Sequence, residues 1–177
     1  MNTLVRILSL LIACLFAPLT VFTIGDWIGA GIRFPLFLYQ DTIYGTSLIP
    51  VWREISYIMS GIIDGRSALS ILTWTLGTTL LIMAAGYIIY GNYSGVKKPR
   101  RTLALLIAGS AVAYLLSCVL QYGPLLHGPA GLAIPIGVPL IFAVAGYILK
   151  VEDEEPEGEP DGGEPGEDDG EEIERDE

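Results

Sequence analysis

Between Ser67 and Val96, and again between Thr102 and Leu149, the chain has no Asp, Glu, Lys or Arg. A shorter uncharged run, Ile7 to Gly25, precedes them. Charged side chains are costly in hydrocarbon, so uncharged stretches of this length point to a bilayer as solvent. The charges are displaced rather than missing: sixteen of the twenty acidic residues follow Lys150. Residues 1–151 carry a balance of +5 and residues 152–177 a balance of −15, so the net charge of −10 describes neither part.

Half the residues (51%) are hydrophobic and the mean hydropathy is +0.52. Whole segments are apolar on every face, without the interruptions at helical or strand period that mark a soluble domain. These features predict an all-α integral membrane protein. Its membrane domain, residues 1–151, is a four-helix transmembrane bundle with spans at about 4–23, 68–90, 103–121 and 131–149. A cleaved signal peptide, or a lipoprotein site at Cys14, is the other reading of the first run. The apolar character continues past Cys14, which favours a retained helix bent at Pro18.

The section from Asp26 to Arg66 is unusually apolar for a loop and is expected to lie against the membrane or the bundle. Within it, Val51, Ile55, Ile58, Met59 and Ile62 recur at helical spacing opposite Arg53, Glu54, Ser56 and Ser60. That pattern predicts a short extracytoplasmic amphipathic helix starting near Pro50. Residues 152–177 contain Glu, Asp, Gly and Pro with Ile173 as the one hydrophobe, and are expected to be a disordered acidic tail.

The basic cluster Lys97, Lys98, Arg100 and Arg101 lies in a short turn, where the positive-inside bias is strongest. It places that turn on the cytoplasmic side of a cell membrane, in contact with lipid headgroups. A multi-pass topology with cytoplasmic termini follows. Trp27 and Trp74 then mark the outer boundary, and Tyr87, Tyr90, Tyr93 and Tyr147 the inner one. The tail shares the compartment of the basic turn and is long enough to reach it, so a basic cytosolic partner could compete for the tail.

Small residues recur every seven positions along the second span (Ser70, Gly77, Ala84, Gly91), and Gly109, Ala113 and Ser117 form a stripe on the third. Such stripes allow close helix approach, the main source of association in lipid. Thr73, Thr78 and Thr79 could line a polar path, although hydroxyls in a membrane helix ordinarily bond their own backbone. Pro135, Gly137 and Pro139 would kink the fourth span or free carbonyls within it. His127 falls in an outer turn. Arg33, Arg53, Arg66, Asp26, Asp41, Glu54 and Asp64 are mixed charges of the outer section, able to form a ligand site or ordinary surface pairs.

Absent motifs narrow the chemistry. There is no intramembrane acid or base for proton coupling, no HExxH or multi-histidine metal set, and no GxSxG. Neither Cys14 nor Cys118 belongs to a CxxC pair. The sequence thus predicts neither catalytic nor cofactor-binding nor metal residues, and no nucleic-acid partner. It predicts a non-enzymatic accessory or interaction subunit that contacts other membrane helices through its small-residue faces. The alternative is an oligomeric channel or facilitator lined by the second helix.

Overall fold

The structure, a computed structural model, describes residues 3–25, 28–94 and 100–153. The expected disorder of the tail from 154 onward, the boundary role of Trp27 and the lipid-facing turn at Lys97 and Lys98 fall outside the described residues.

The chain is not an all-α bundle of four spans. Among the described residues it is a mixed α/β fold of five helices and a six-stranded antiparallel sheet. Among the described residues, two helices are long and apolar enough to cross a membrane: α3 (Gly65–Ser94) and α4 (Arg100–Tyr122). At ~1.5 Å per residue they reach about 45 and 35 Å, against a hydrocarbon core of about 30 Å.

The first and fourth expected spans each divide into a short helix and a strand. α1 (Thr3–Phe16) stops before Pro18, whose ring cannot continue the helix, and β1 (Thr20–Ile24) follows with four β-branched residues in five. At the other end of the chain, β6 (Gly131–Ile134) precedes Pro135, and α5 (Gly137–Asp153) starts with Pro139 in its first turn. The two junctions meet. The Gly137 N–H donates to the Leu19 carbonyl at 2.9 Å, and a Cβ on Gly137 would lie 2.5 Å from the Pro18 carbonyl oxygen. Glycine is therefore required where α1 hands over to β1 and β6 to α5.

The apolar section expected to be a loop forms three strands. β2 (Gly29–Arg33) pairs with β1, and the segment Phe34–Pro35–Leu36 turns the chain into β3 (Phe37–Thr42). A two-residue turn at Ile43–Tyr44 leads to β4 (Gly45–Pro50), with Gly45 at φ +115°. β5 (His127–Gly128) completes a sheet of order β4-β3-β2-β1-β6-β5. β6 lies beside β1, with Val21 opposite Ile134, so the two ends of the chain are joined in one ladder.

Register assigns each sheet face. Thr20, Arg33, Leu38 and Ile49 lie across one row of the inner face, and Ala133, Phe22, Gly31 and Gln40 across the next. Phe22, Leu38 and Ala133 are buried there, with Tyr122 of α4 packed against them. The outer face carries the row Leu48–Tyr39–Ile32–Val21–Ile134, in which Leu48 and Ile134 are 60% and 52% exposed.

The larger core lies among α1, α3, α4 and α5, where Leu81, Ile107, Ile141 and Ile148 are completely buried. α1 packs against part of α3, and α5 packs against α4. The β2–β3 turn reaches α3 at Trp74 and Thr78, whose indole N–H and hydroxyl donate to the Phe34 and Pro35 carbonyls.

The predicted amphipathic helix exists as α2 (Val51–Met59), with Val51 and Ile58 packed against the core as their spacing implies and Glu54 turned inward beside them. Glu54 is buried, while Met59 and Ile62 are 85% and 70% exposed. β4 is bonded to β3, and Val51 N–H donates to the Leu36 carbonyl. These two constraints fix how α2 emerges from the sheet. Hydrophobicity alone would have turned Glu54 outward.

Candidate ligand cleft

Arg33 ends β2 on the inner face of the sheet, and Glu54 lies on the buried side of α2. Their side chains approach to 3.7 Å between Nη2 and Oε1 and are 16% and 6% exposed. Behind them, Trp74 of α3 presents its ring to the Arg33 guanidinium at 4.8 Å, while its indole N–H donates to the Phe34 carbonyl at 3.1 Å. A cation over an indole face is attracted by the ring quadrupole, so Trp74 and Glu54 both hold the Arg33 head.

The pair is incompletely satisfied. Arg33 Nε and Glu54 Oε2 are buried without a hydrogen-bond partner. Burial pushes the Glu54 carboxyl above the usual carboxylate range, and the Arg33 charge offsets only part of that rise. A buried ion pair at this separation contributes little net stability, because desolvation consumes most of the Coulombic gain. Two orphaned polar atoms beside it are a structural cost that fold stability alone does not explain.

The pair lines a cleft of about 420 Å³ between the inner sheet face, the α2–α3 turn and the end of α4. Its polar wall includes Gln40, Asp64, Ser67 and Gln121, and its apolar wall includes Phe22, Leu38 and Ile71. The volume is in the range of small-molecule sites, which combine apolar walls with a few converging polar groups.

Polar contacts continue from the cleft into the helices. Thr20 and Cys118 lie 3.2 Å apart. Further in, Thr78 donates to the Pro35 carbonyl at 2.7 Å, and the Tyr114 hydroxyl is 3.1 Å from Thr78 Oγ1. Beyond Tyr114 the fully buried Leu81 and Ile107 begin the apolar core.

Most of the small-residue positions are occupied within the chain. Ser70 and Ser117 each donate to the other's carbonyl at 2.8 Å. Gly77 faces the Tyr114 ring so closely that a Cβ would sit 2.9 Å from it, and Ala84 is completely buried. Ala113 is 6% exposed, Gly109 lies near Leu80, and Gly91 is half-buried.

The three threonines do not form one path. Thr73 and Thr79 donate to the carbonyls of Leu69 and Thr75 in their own helix, and only Thr78 joins another element. Arg100 and Arg101 open α4, with Arg101 exposed. Trp74, expected at a membrane boundary, is 1% exposed in the core. Cys14 is equally buried, and His127 is exposed in β5.

Of the mixed charges in the outer section, the fold gathers Arg33, Glu54 and Asp64 at the cleft. Arg53 instead bonds the Tyr57 hydroxyl one turn away. The Arg33–Glu54 pairing had no sequence signal beyond membership in that set, because it depends on the rotation of α2. Among the described residues, no group of three or more His, Cys, Asp or Glu could hold a metal ion. No known family, curated protein or solved structure matches this chain.

Proposed function

We propose that the protein is a non-enzymatic accessory subunit of a membrane assembly, held in the bilayer by α3 and α4, and that a partner protein adds an extended strand to the free edge of β4. The observation that carries this reading is the composition of that edge. Among the described residues β4 ends the sheet; it contains no charged residue and leaves Leu48 60% exposed at one end of an apolar row that crosses five strands. Sheets ordinarily protect their edges with charge, proline, bulges or a covering element; the proline of β4 is confined to its last residue, which leaves the edge from Gly45 to Ile49 as a template for strand addition. Most of the small-residue positions, by contrast, are used in contacts within the chain.

The same reading orients the molecule. Arg6, Arg100, Arg101 and Lys150 lie at the helix ends remote from the sheet, which by the positive-inside bias puts those ends in the cytoplasm and the sheet outside. Partner recognition is then extracytoplasmic.

Gentle detergent extraction of the full chain should recover a stoichiometric partner, and Leu48→Lys should release it while leaving the fold unchanged by circular dichroism. Recovery of the isolated protein alone, or a partner retained by Leu48→Lys, would argue against strand addition at β4. Cross-linking into pairs of this chain alone would replace the foreign partner with a second copy.

A further inference from the structure

We infer that the cleft beside Arg33 and Glu54 binds a small organic cation that carries a carbonyl or hydroxyl next to its ammonium group and an apolar body. This inference is independent of the β4 edge. It starts from the two orphaned atoms: Arg33 Nε needs an acceptor and Glu54 Oε2 needs a donor. Arg33 Nη2 and Glu54 Oε1 are 3.7 Å apart and both side chains line the cleft, so one ligand with a donor and an acceptor on neighbouring atoms can bridge the carboxylate and the guanidinium. Neither orphaned atom is itself in contact with solvent. A turn of the Glu54 carboxylate about its terminal bond, a soft rotation, brings Oε2 toward the bound group.

Charge selects among such ligands. Arg33 and Glu54 cancel, and Asp64 leaves the wall with one negative charge, which favours a monocation over a zwitterion or an anion. Phe22, Leu38 and Ile71 supply the surface for an apolar body. Trp74 is already covered by Arg33, so the ammonium is held by the carboxylates rather than by an aromatic cage.

Three probes separate these requirements in ligand-observed NMR titrations of the full chain in detergent. Leucinamide has an ammonium, an adjacent carbonyl and an isobutyl body. 4-Methylpentanamide lacks the ammonium, and isoamylamine lacks the carbonyl. A hydrogen bond to a charged group is worth about 1.5–3 kcal/mol, so leucinamide should bind about tenfold or more tightly than either of the others. Asp64→Asn, at an exposed position where Asn can still precede the helix, should weaken leucinamide and leave 4-methylpentanamide unchanged. Glu54→Gln should remove the preference for leucinamide. Equal binding of the three probes would overturn the proposal, as would a preference that survives both substitutions. Failure of all three to bind saturably would leave a buried ion pair only and overturn it as well. Loss of partner at Leu48→Lys tests the β4 edge separately, so either proposal can fail alone.

Discussion

The Thr78 hydroxyl donates to the Pro35 carbonyl oxygen at 2.7 Å, tying the tip of the β2–β3 hairpin to the interior of a membrane-length helix. Pro35 is fully buried there. With the Thr78 proton directed at Pro35, the Tyr114 hydroxyl, 3.1 Å away, is placed to donate to Thr78 Oγ1. One side chain therefore satisfies a loop carbonyl and a tyrosine on another helix.

Thr78→Val keeps the shape of the side chain and removes both partnerships. Leaving a buried carbonyl and a buried hydroxyl unsatisfied should cost about 1–3 kcal/mol in detergent unfolding experiments, while Thr78→Ser should cost much less. Equal losses for the two variants would mean that the methyl group, not the hydroxyl, holds the hairpin.

The glycines of the helices should separate into two classes. A Cβ at Gly77 would meet the Tyr114 ring at 2.9 Å, whereas at Gly109 the nearest atom is Leu80 Cδ1 at 3.6 Å, and at Gly86 nothing lies within 4 Å. Gly77→Ala should therefore destabilise by about 1–3 kcal/mol through overpacking. Gly109→Ala and Gly86→Ala should be neutral or stabilising, since alanine favours helix. A loss at Gly86 matching that at Gly77 would point to a contact outside this chain.

Ser70 and Ser117 form a reciprocal pair, each hydroxyl donating to the other's carbonyl across α3 and α4. Interhelical hydrogen bonds of this kind average about 0.6 kcal/mol in membrane proteins. Single alanine substitutions should each lower stability by an amount of that order. Their effects should be non-additive in a double-mutant cycle, because the two residues share one contact. Strict additivity would show that the hydroxyls act independently.

The raised carboxyl of Glu54 gives a pH dependence of unusual sign. A folded-state acid that holds its proton more tightly than the unfolded chain favours folding at low pH. That contribution is lost as pH rises through the ordinary carboxylate value and then the raised one. The stability of the wild-type protein relative to Glu54→Gln should therefore fall between acid and neutral pH, followed by thermal unfolding in detergent. Parallel pH profiles for the two proteins would refute the burial argument.

Hydropathy identified the segments that became α3 and α4 because both stay apolar for longer than any strand. It misread Leu4–Thr23 and Gly131–Leu149, since a short helix joined to a strand has the same mean hydropathy as one long helix. The local signals for the breaks were present: Pro18 before a β-branched run, and Pro135 followed by Gly137 and Pro139. Their outcome depended on Val21 meeting Ile134 across more than a hundred residues, which no local pattern encodes. The sheet between Gly29 and Pro50 left a fainter trace, because its outer face is apolar and blurs the alternation expected of a half-buried strand.

What the sequence determined by itself is the segregation of charge: two helices of membrane length, a basic cluster at one end of them, and an acidic segment kept apart. Those properties follow from transfer energies of individual residues and need no partner. The tertiary structure decided what the remaining polar groups touch. The Ser70 and Gly77 face meets α4 because the chain supplies Ser117 and Tyr114 at matching heights. Arg33 meets Glu54 because the sheet fixes how α2 emerges, and the energy of turning a carboxylate inward is set by its neighbours.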